Sequence, residues 1–299
     1  MSNITVLLST YNGEKYLPEQ LDSILKQQNV KVRLLVRDDG SGDSTCSILD
    51  TWSKKMDLSW YTGTNLKPAK SFLDLLQHAG DSPYYAFSDQ DDYWMPDKLI
   101  TAIEALSEYE KVPALYFSQT QLADKDLVKI DSVIINPYLT LGEALVYQFI
   151  GGCTMVMNAK LRDIIIRHKP SYVPMHDVWI YNVALAIGAK VVFDPQPHML
   201  YRQHGGNVIG QKKNDPKEWK ERITSFVKGN HNSRSDFARE VYNAYQKLMP
   251  DNNLALLSFF LAGKNNIRKR LKLLFDKRFK CSNKKTYFLF KIAVLLNTY

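Results

Sequence analysis

Cysteine is scarce in this chain, and its three cysteines, Cys46, Cys153 and Cys281, lie far apart with no C-x-x-C pair. That excludes a zinc knuckle and a disulfide-stapled scaffold, and it fits a reduced, cytosolic protein. The start, Met1 to Asn12, has one short apolar run, Ile4–Leu8, and no basic n-region, so no secretory signal is expected. A spanning helix needs about 20 apolar residues. The last apolar run, Tyr287–Leu296, has ten and is broken by Lys291. A glycine-rich phosphate cradle is also missing. Where G-x-G-x-x-G would follow the first strand the chain reads Thr10-Tyr11-Asn12-Gly13-Glu14, and there is no P-loop. Gly 14 and Pro 12 in 299 residues, with 45% hydrophobic and 23% charged, rule out collagen and disorder. No repeat of fixed period is present.

What is there alternates. Ile4–Ser9, Val32–Val36, Leu58–Tyr61 and Tyr84–Ser88 read as strands. Between them lie helical patterns: Tyr16 to Leu25, a helix capped by Ser44 that carries Ile48, Leu49 and Trp52, and Ser71–His78. Strands alternating with helices predict an α/β fold with a mainly parallel sheet. Further on, Ala114–Ser118, Cys153–Met157, Lys190–Phe193 and Met199–Arg202 read as strands, and Ala159–His168 and Asp177–Ile187 as helices. From Asp215 the pattern is wholly helical: Trp219–Lys228, Ser235–Leu248, Leu254–Leu261, Ile267–Phe279 and Tyr287–Leu296. The Gly/Asn-rich stretch Gly205–Asn214 is the expected junction. It divides a catalytic domain, 1–210, from a basic helical region, 211–299.

Net charge is +8, unevenly placed: residues 211–299 carry 20 Lys/Arg against 7 Asp/Glu, and residues 1–210 carry 19 against 24. A mildly acidic body with a basic tail suits an anionic membrane, a nucleic acid or a phosphate-bearing acceptor as partner, or a solvated helix face. Three polar clusters fall just after apolar strands: Ser9-Thr10-Tyr11-Asn12, Asp38-Asp39 and Ser88-Asp89-Gln90-Asp91-Asp92. In a parallel α/β sheet those are the ligand-binding ends. Carboxylates crowded there are costly unless a cation or a donor-rich ligand meets them. Asp89, Asp91 and Asp92 offer hard oxygen ligands to Mg²⁺ or Mn²⁺; capping of the next helix accounts for Asp92 or Asp97 only. With no glycine cradle, a diphosphate would be held by metal, which points to nucleotide-sugar chemistry. A nucleic-acid-binding protein would explain the tail but not the acidic strand ends. A glycoside hydrolase would use paired carboxylates but has no need of a nucleotide pocket.

The ordered set Val6-Leu7-Leu8-Ser9-Thr10-Tyr11-Asn12-Gly13, Asp38-Asp39-Gly40-Ser41 and Asp89-Gln90-Asp91-Asp92 resembles the successive motifs of family 2 glycosyltransferases with the GT-A fold. It continues through Gly151-Gly152-Cys153-Thr154, His176-Asp177-Val178-Trp179 and Tyr201-Arg202-Gln203-His204-Gly205, over about residues 3–208. Phe87 to Trp94 with His176-Asp177-x-Trp179 is similar to bacterial rhamnosyltransferases of surface-polysaccharide synthesis, which commonly use dTDP-rhamnose.

The resemblance implies a GT-A (Rossmann-like) fold with a nucleotide-binding half, about 1–110, and an acceptor half, about 111–210. It implies a pyrimidine nucleotide-sugar donor, dTDP- or UDP-linked, lined by Ser9, Thr10, Tyr11 and Glu14. Asp39 would accept from the pyrimidine N3–H, Asp89 would touch the ribose, and Asp91 would hold the metal. Asp89 and His204 are further metal candidates. Asp177 would be the single general base of an inverting displacement, and it also stands where a helix N-cap would. Trp94 and Trp179 would stack on sugar faces or belong to the core. One departure is Asn65-Leu66-Lys67-Pro68, where the family often has Asn-x-Gly; Lys67 and Lys70 there would face donor phosphates or solvent.

In the tail, Lys264–Lys291 holds eleven Lys/Arg and one acid, Asp276, and Ile267, Leu271 and Leu274 form an apolar stripe beside the basic face. That pattern predicts peripheral contact with an anionic membrane, or packing on the catalytic domain or in a homo-oligomer. The expectation is a rhamnosyltransferase, or its UDP-hexose counterpart, at the inner face of the plasma membrane. It would act on a lipid-linked oligosaccharide and bind no nucleic acid.

Overall fold

The computed structural model describes residues 1–132, 134–147, 149–204 and 233–299. The expected junction at 205–214 and the helix at 219–228 lie outside the described residues. Eight strands form one mixed sheet: β1 Ser2–Thr10, β2 Val30–Asp38, β3 Leu58–Thr62, β4 Tyr84–Ser88, β5 Tyr93–Trp94, β6 Ala114–Ala123, β7 Val156–Asn158 and β8 Lys190–Arg202. Their spatial order is β3-β2-β1-β4-β7-β6-β8-β5. The first half, β3 to β4, is all parallel. β7 is antiparallel to both neighbours, β6 and β8 are parallel, and β5 closes the edge antiparallel to β8. The mixed, mainly parallel α/β sheet is as expected.

The helices α1 Leu17–Leu25, α2 Thr45–Trp52, α3 Lys67–His78 and α4 Lys98–Ser107 connect the first strands, and α5 Leu141–Val146, α6 Ala159–Ile165 and α7 His176–Ala186 follow. Strand alternation decides which helix packs where, because successive side chains leave a strand on opposite faces. Val6, Leu8, Tyr84 and Ala86 meet Leu17 and Leu21 of α1 and Leu99 and Ile103 of α4. Leu7, Tyr85 and Phe87 meet Phe72 and Leu75 of α3 and Trp179 of α7 on the other face. Both faces are covered, so β4 is buried at every position and reads as an unbroken apolar run.

Several local readings change. The strand expected at Cys153–Met157 is a 3-10 turn, Gly152–Thr154, followed by the short β7, and the helix expected over Ile267–Phe279 ends at Leu273, with a separate 3-10 turn at Lys277–Phe279. Lys190–Phe193 and Met199–Arg202 belong to one strand, β8, whose pairing with β6 shifts register around Gln119. Pro195 and Pro197 cause the apparent break, because neither has an N–H to give a ladder. Ser44 precedes α2 but makes no side-chain cap; Asp43 does so instead, accepting from the Thr45 N–H at 3.0 Å.

The last helices are α8 Ser233–Tyr245, α9 Asp251–Ala262, α10 Ile267–Leu273 and α11 Lys284–Leu295. They share one apolar core with the catalytic body. Phe237 and Tyr245 of α8 lie about the Trp179 ring, at centroid distances of 5.9 and 6.0 Å. Phe260, Phe279, Phe290 and Tyr299 continue the same cluster. No described helix is long and apolar enough to cross a membrane. Phe237→Ala removes a fully buried ring at this joint and should lower stability by about 3–5 kcal/mol. Urea unfolding should show one transition that loses catalytic-domain and C-terminal signals together; two separate transitions would mean the tail folds apart.

Candidate functional site

The carboxyl ends of β1, β2 and β4 meet in one cleft. At the end of β1, Ser9 Oγ lies 2.6 Å from Ser71 Oγ on α3. Gln90 reaches across from the loop after β4: its Oε1 accepts from Thr10 Oγ1 at 2.6 Å and the Tyr11 N–H at 2.9 Å, and its Nε2 donates to the Tyr11 carbonyl at 3.2 Å. Gln90 thus locks two of the expected donor-contact loops together. Thr10 is buried under this clamp, while the Tyr11 ring is exposed.

At the end of β2 the two aspartates divide their work. Asp38 folds the turn, accepting from the backbone N–H of Gly40 and Ser41 and the hydroxyls of Ser41 and Thr62. Asp39 is buried, paired with Arg37, and accepts the Leu66 N–H at 3.1 Å. That last bond ties Asp39 to the departing Asn65-Leu66-Lys67 segment. Lys67 there has φ +66°, a left-handed conformation that favours glycine. The turn that Asn-x-Gly would make is therefore kept with a lysine in the glycine position. Lys70, one turn into α3, points to solvent.

The loop after β4 and the end of β8 bring the metal candidates together. His204 Nε2 lies 2.8 Å from Asp91 Oδ2, and both side chains keep 16% exposure. Arg202 fixes this arrangement. Its guanidinium donates to the Asp91 carbonyl at 2.8 Å, the Lys125 carbonyl at 2.6 Å and Glu19 Oε2 at 2.5 Å. It also lies 4.6 Å from the Tyr16 ring, which the His204 ring approaches at 4.7 Å.

Asp177 enters from the other side, in the first turn of α7. Its carboxylate accepts the Val178 N–H at 2.7 Å and the Gly152 N–H at 2.9 Å; it is not the N-cap expected from the sequence, because the helix opens at His176 with Met175 in the cap position. A side chain on Gly152 would collide with the His176 ring. His176 stacks on Phe72 at 4.0 Å, and burial pushes its pKa down to about 3, so it is neutral. Burial raises Asp177 to about 6. Asp89 is raised to about 7, by burial first and then by the charges of Asp91 and Asp177. Buried Asp92 is pushed up by burial and by Asp89 and Asp91.

A second grouping lies deeper: ligand atoms of Asp89, Asp92 and Cys153 fall within 4.8 Å of one another. Lys98 sits over the Trp94 ring at 4.4 Å, its pKa lowered to about 8 by burial. A soft sulfur and a wholly buried carboxylate do not suit Mg²⁺ or Mn²⁺. The less deeply buried oxygens of Asp91 and Asp89, with the His204 imidazole, do. The raised Asp89 carboxyl is also what a divalent cation would relieve.

Three expectations are corrected. Trp94 is 1% exposed and Trp179 0%, so neither offers a face to a sugar. The Trp94 indole N–H is satisfied by Gln20, whose amide also bridges Ser88 and the Asp92 carbonyl. Glu14 turns from the cleft and accepts the Ser44 N–H at 3.0 Å, holding the start of α2. Gln90, Gln20, Arg202 and Tyr16 were not singled out from the sequence. Gln90 and Arg202 stand inside recognisable runs, but only the fold shows what they bridge.

A mainly parallel sheet with carboxylates gathered beyond its strand ends, and no glycine cradle, is the GT-A glycosyltransferase arrangement. Residues 5–165 match Glycosyl transferase family 2, and the chain belongs to that family. It is 30% identical over 226 residues to the dTDP-rhamnosyl transferase RfbG of Shigella flexneri, covering 68% of this chain and 73% of that protein. It is 24% identical over 213 residues to the Escherichia coli UDP-Glc:alpha-D-GlcNAc-diphosphoundecaprenol beta-1,3-glucosyltransferase WfaP, covering 71% and 82%. The crystal structure of S. aureus TarS 1-349 with UDP-GlcNAc superposes with a TM-score of 0.62 at 17% identity, over 99% of this chain and 82% of that one. The mannosyltransferase PcManGT of Pyrobaculum calidifontis, with GDP-Man and Mn²⁺, gives 0.51 at 17% identity, over 99% and 86%. These likenesses at low identity show the fold.

Burial penalises an ionised Asp177, but Asn would turn its NH2 towards one of the two backbone N–H groups that the carboxylate oxygens accept, so the charge is read from the pH dependence of Asp177→Asn and not from its absolute stability. Its folded pKa, about 6, lies above the unfolded value, 3.8. The folded state therefore binds more protons between the two, and the charge penalty grows as pH rises through that window. Urea unfolding should show the stability of Asp177→Asn relative to the parent rising by about 1–3 kcal/mol between pH 4 and pH 7.5. A difference that does not change with pH would show that the carboxylate charge is compensated.

Proposed function

We propose that this enzyme transfers L-rhamnose from dTDP-rhamnose to a lipid-linked oligosaccharide during cell-surface polysaccharide synthesis, with inversion at the anomeric carbon. The likeness to a dTDP-rhamnosyl transferase at 30% identity supports the donor. The likeness to WfaP, whose name gives a diphosphoundecaprenol acceptor, supports the lipid link. That same likeness favours a second reading, an otherwise equal enzyme with a UDP-hexose donor.

The observation that carries the mechanism is the placement of Asp177. It is the one site carboxylate held by two backbone N–H groups at a helix start, and its charge reaches Asp89. Its carboxylate takes the proton of the acceptor hydroxyl as that oxygen attacks the anomeric carbon and the bond to the nucleoside diphosphate breaks. Asp91, with Asp89 and His204, would hold Mg²⁺ or Mn²⁺, which neutralises charge developing on the leaving diphosphate. Ser9 and the exposed Tyr11 ring line the nucleotide side, held in register by Gln90; Thr10, buried beneath Gln90, supports them without reaching the donor. Asp39, fixed by Arg37 and Leu66, offers an acceptor to the pyrimidine N3–H.

Calorimetric titration with dTDP-rhamnose, UDP-glucose and UDP-galactose, each with Mn²⁺ or EDTA, tests the donor. Metal-dependent binding of dTDP-rhamnose is expected, and Asp91→Ala should remove it; preference for a UDP-sugar would select the second reading. Asp177→Asn should bind the donor normally yet lose transfer by about 10²–10⁴-fold. Because the base must be ionised, kcat/KM should be flat above pH 7 and fall about tenfold per unit below its pKa of about 6. A profile without that limb would give the base to another group.

A further inference from the structure

Helices α10 and α11 each have two apolar sides, and folding uses only one. Leu273 and Leu274 at the end of α10, Phe279, and Phe290, Ala293 and Val294 of α11 are buried in the common core. The other side stays in water. Ile267, Leu271, Phe275, Phe288, Leu295 and Leu296 are between 46% and 80% exposed. Among the described residues fifteen large hydrophobics are exposed, and these thirty positions, 267–296, hold six of them. Ile267 and Leu271 are one turn apart, Phe288 and Leu295 two, so each pair shares one side of its helix. The two helices contact one another.

Charge surrounds these apolar groups. Arg268, Lys269, Lys272, Lys280, Lys284 and Lys285 are exposed. The one acidic residue between Lys264 and Lys291, Asp276, is engaged by Arg278 at 2.6 Å. The surface is apolar and cationic together, a combination that narrows the choice of occupant. A symmetric contact with a second copy would set this positive charge against itself. Nucleic acid would satisfy the cations, but four of the six apolar residues are aliphatic and offer bases no stacking partner. An anionic bilayer takes both: phosphates meet the lysines and arginines, and the apolar side chains sink to the acyl boundary.

We propose that the outward sides of α10 and α11, with the turn after α10, are a docking surface for an anionic lipid bilayer. The inference rests on the transferase reading only for its use, which is to bring the cleft to a lipid-linked acceptor; binding itself is independent of it. Phe275, 80% exposed, and Phe288, 63% exposed, are the anchors.

The test is co-sedimentation of the full chain with phosphatidylcholine vesicles, with or without about 30% phosphatidylglycerol. The protein should pellet with the anionic vesicles, stay in solution with the neutral ones, and be released by about 0.5 M salt. Phe275→Glu/Phe288→Glu should weaken binding about tenfold or more, with nucleotide-sugar affinity and Tm unchanged; Lys269→Glu/Lys272→Glu should weaken it through charge alone. Failure of the parent to bind anionic vesicles overturns the proposal, as does undiminished binding by both variants. A dimer in sedimentation velocity that Phe275→Glu/Phe288→Glu dissociates, without vesicle binding, assigns the face to self-association instead. Because nucleotide-sugar affinity is measured separately, a loss of lipid binding leaves the transferase reading standing, and a failed donor titration leaves the docking surface standing.

Discussion

Repulsion among carboxylates is the constraint around which this structure is arranged. Asp89 feels the charges of Asp91 and Asp177, and Asp92 those of Asp89 and Asp91, and burial strengthens that repulsion by lowering the local dielectric. Backbone N–H groups, a histidine and the buried side chains of Arg202 and Lys98 stand around them. Asp177 is met by backbone N–H groups, and Asp91 by a histidine. Arg202 donates from its guanidinium to the Asp91 carbonyl and from its backbone N–H to Asp92 Oδ1, so it fixes the loop that carries the carboxylates. A fully paired cluster would be more stable and would have no affinity left for a cation or a donor-rich ligand. The raised pKa values are the record of that unmet demand.

The same economy shapes the second half of the fold. Asp177 must approach Asp89 from the far side of the sheet, so α7 crosses beneath the strand ends with its whole circumference buried. A helix buried all round needs cover on every side. The sheet and α3 supply one side, and α8 supplies another through Phe237 and Tyr245 about Trp179. Trp179, two residues from Asp177, is therefore a rivet between the cleft and the C-terminal helices, with no face free for sugar. The C-terminal helices complete the catalytic body, and their basic outer side is left over for another task.

Much of this was legible in order along the chain. The strands of the parallel half were readable because both faces are covered, so apolar runs and turn signals mark their ends. The carboxylate clusters were readable because acids directly after such runs have few purposes. Residues that act across the fold were hidden. Gln90 and Thr10 are eighty positions apart, and Arg202 and Glu19 are separated by more than twice that distance; no periodicity encodes such pairs. The tryptophans misled because an aromatic near a sugar site and an aromatic in a core have the same local pattern. β8 was split in two because its prolines remove ladder donors at a register shift that only the partner strand reveals.

The segment Asn65-Leu66-Lys67 shows how a departure in sequence need not be a departure in backbone. Glycine is used in such a turn because a left-handed φ costs it nothing, whereas a lysine there gives up of the order of 1–2 kcal/mol. Lys67 nevertheless holds φ +66°, so something outside the residue must fix the turn. The Leu66 N–H, bound to Asp39 Oδ2, does this from one side, and Pro68, with its fixed φ at the start of α3, does it from the other. The strain is thus held against the aspartate that would read the base. The turn and the Asp39 carboxylate then form one unit, with Arg37 as its anchor in the sheet. A carboxylate has acceptor capacity beyond one N–H, so Asp39 can hold the Leu66 N–H, and with it the strained turn, while its other lone pairs stay available to a further donor.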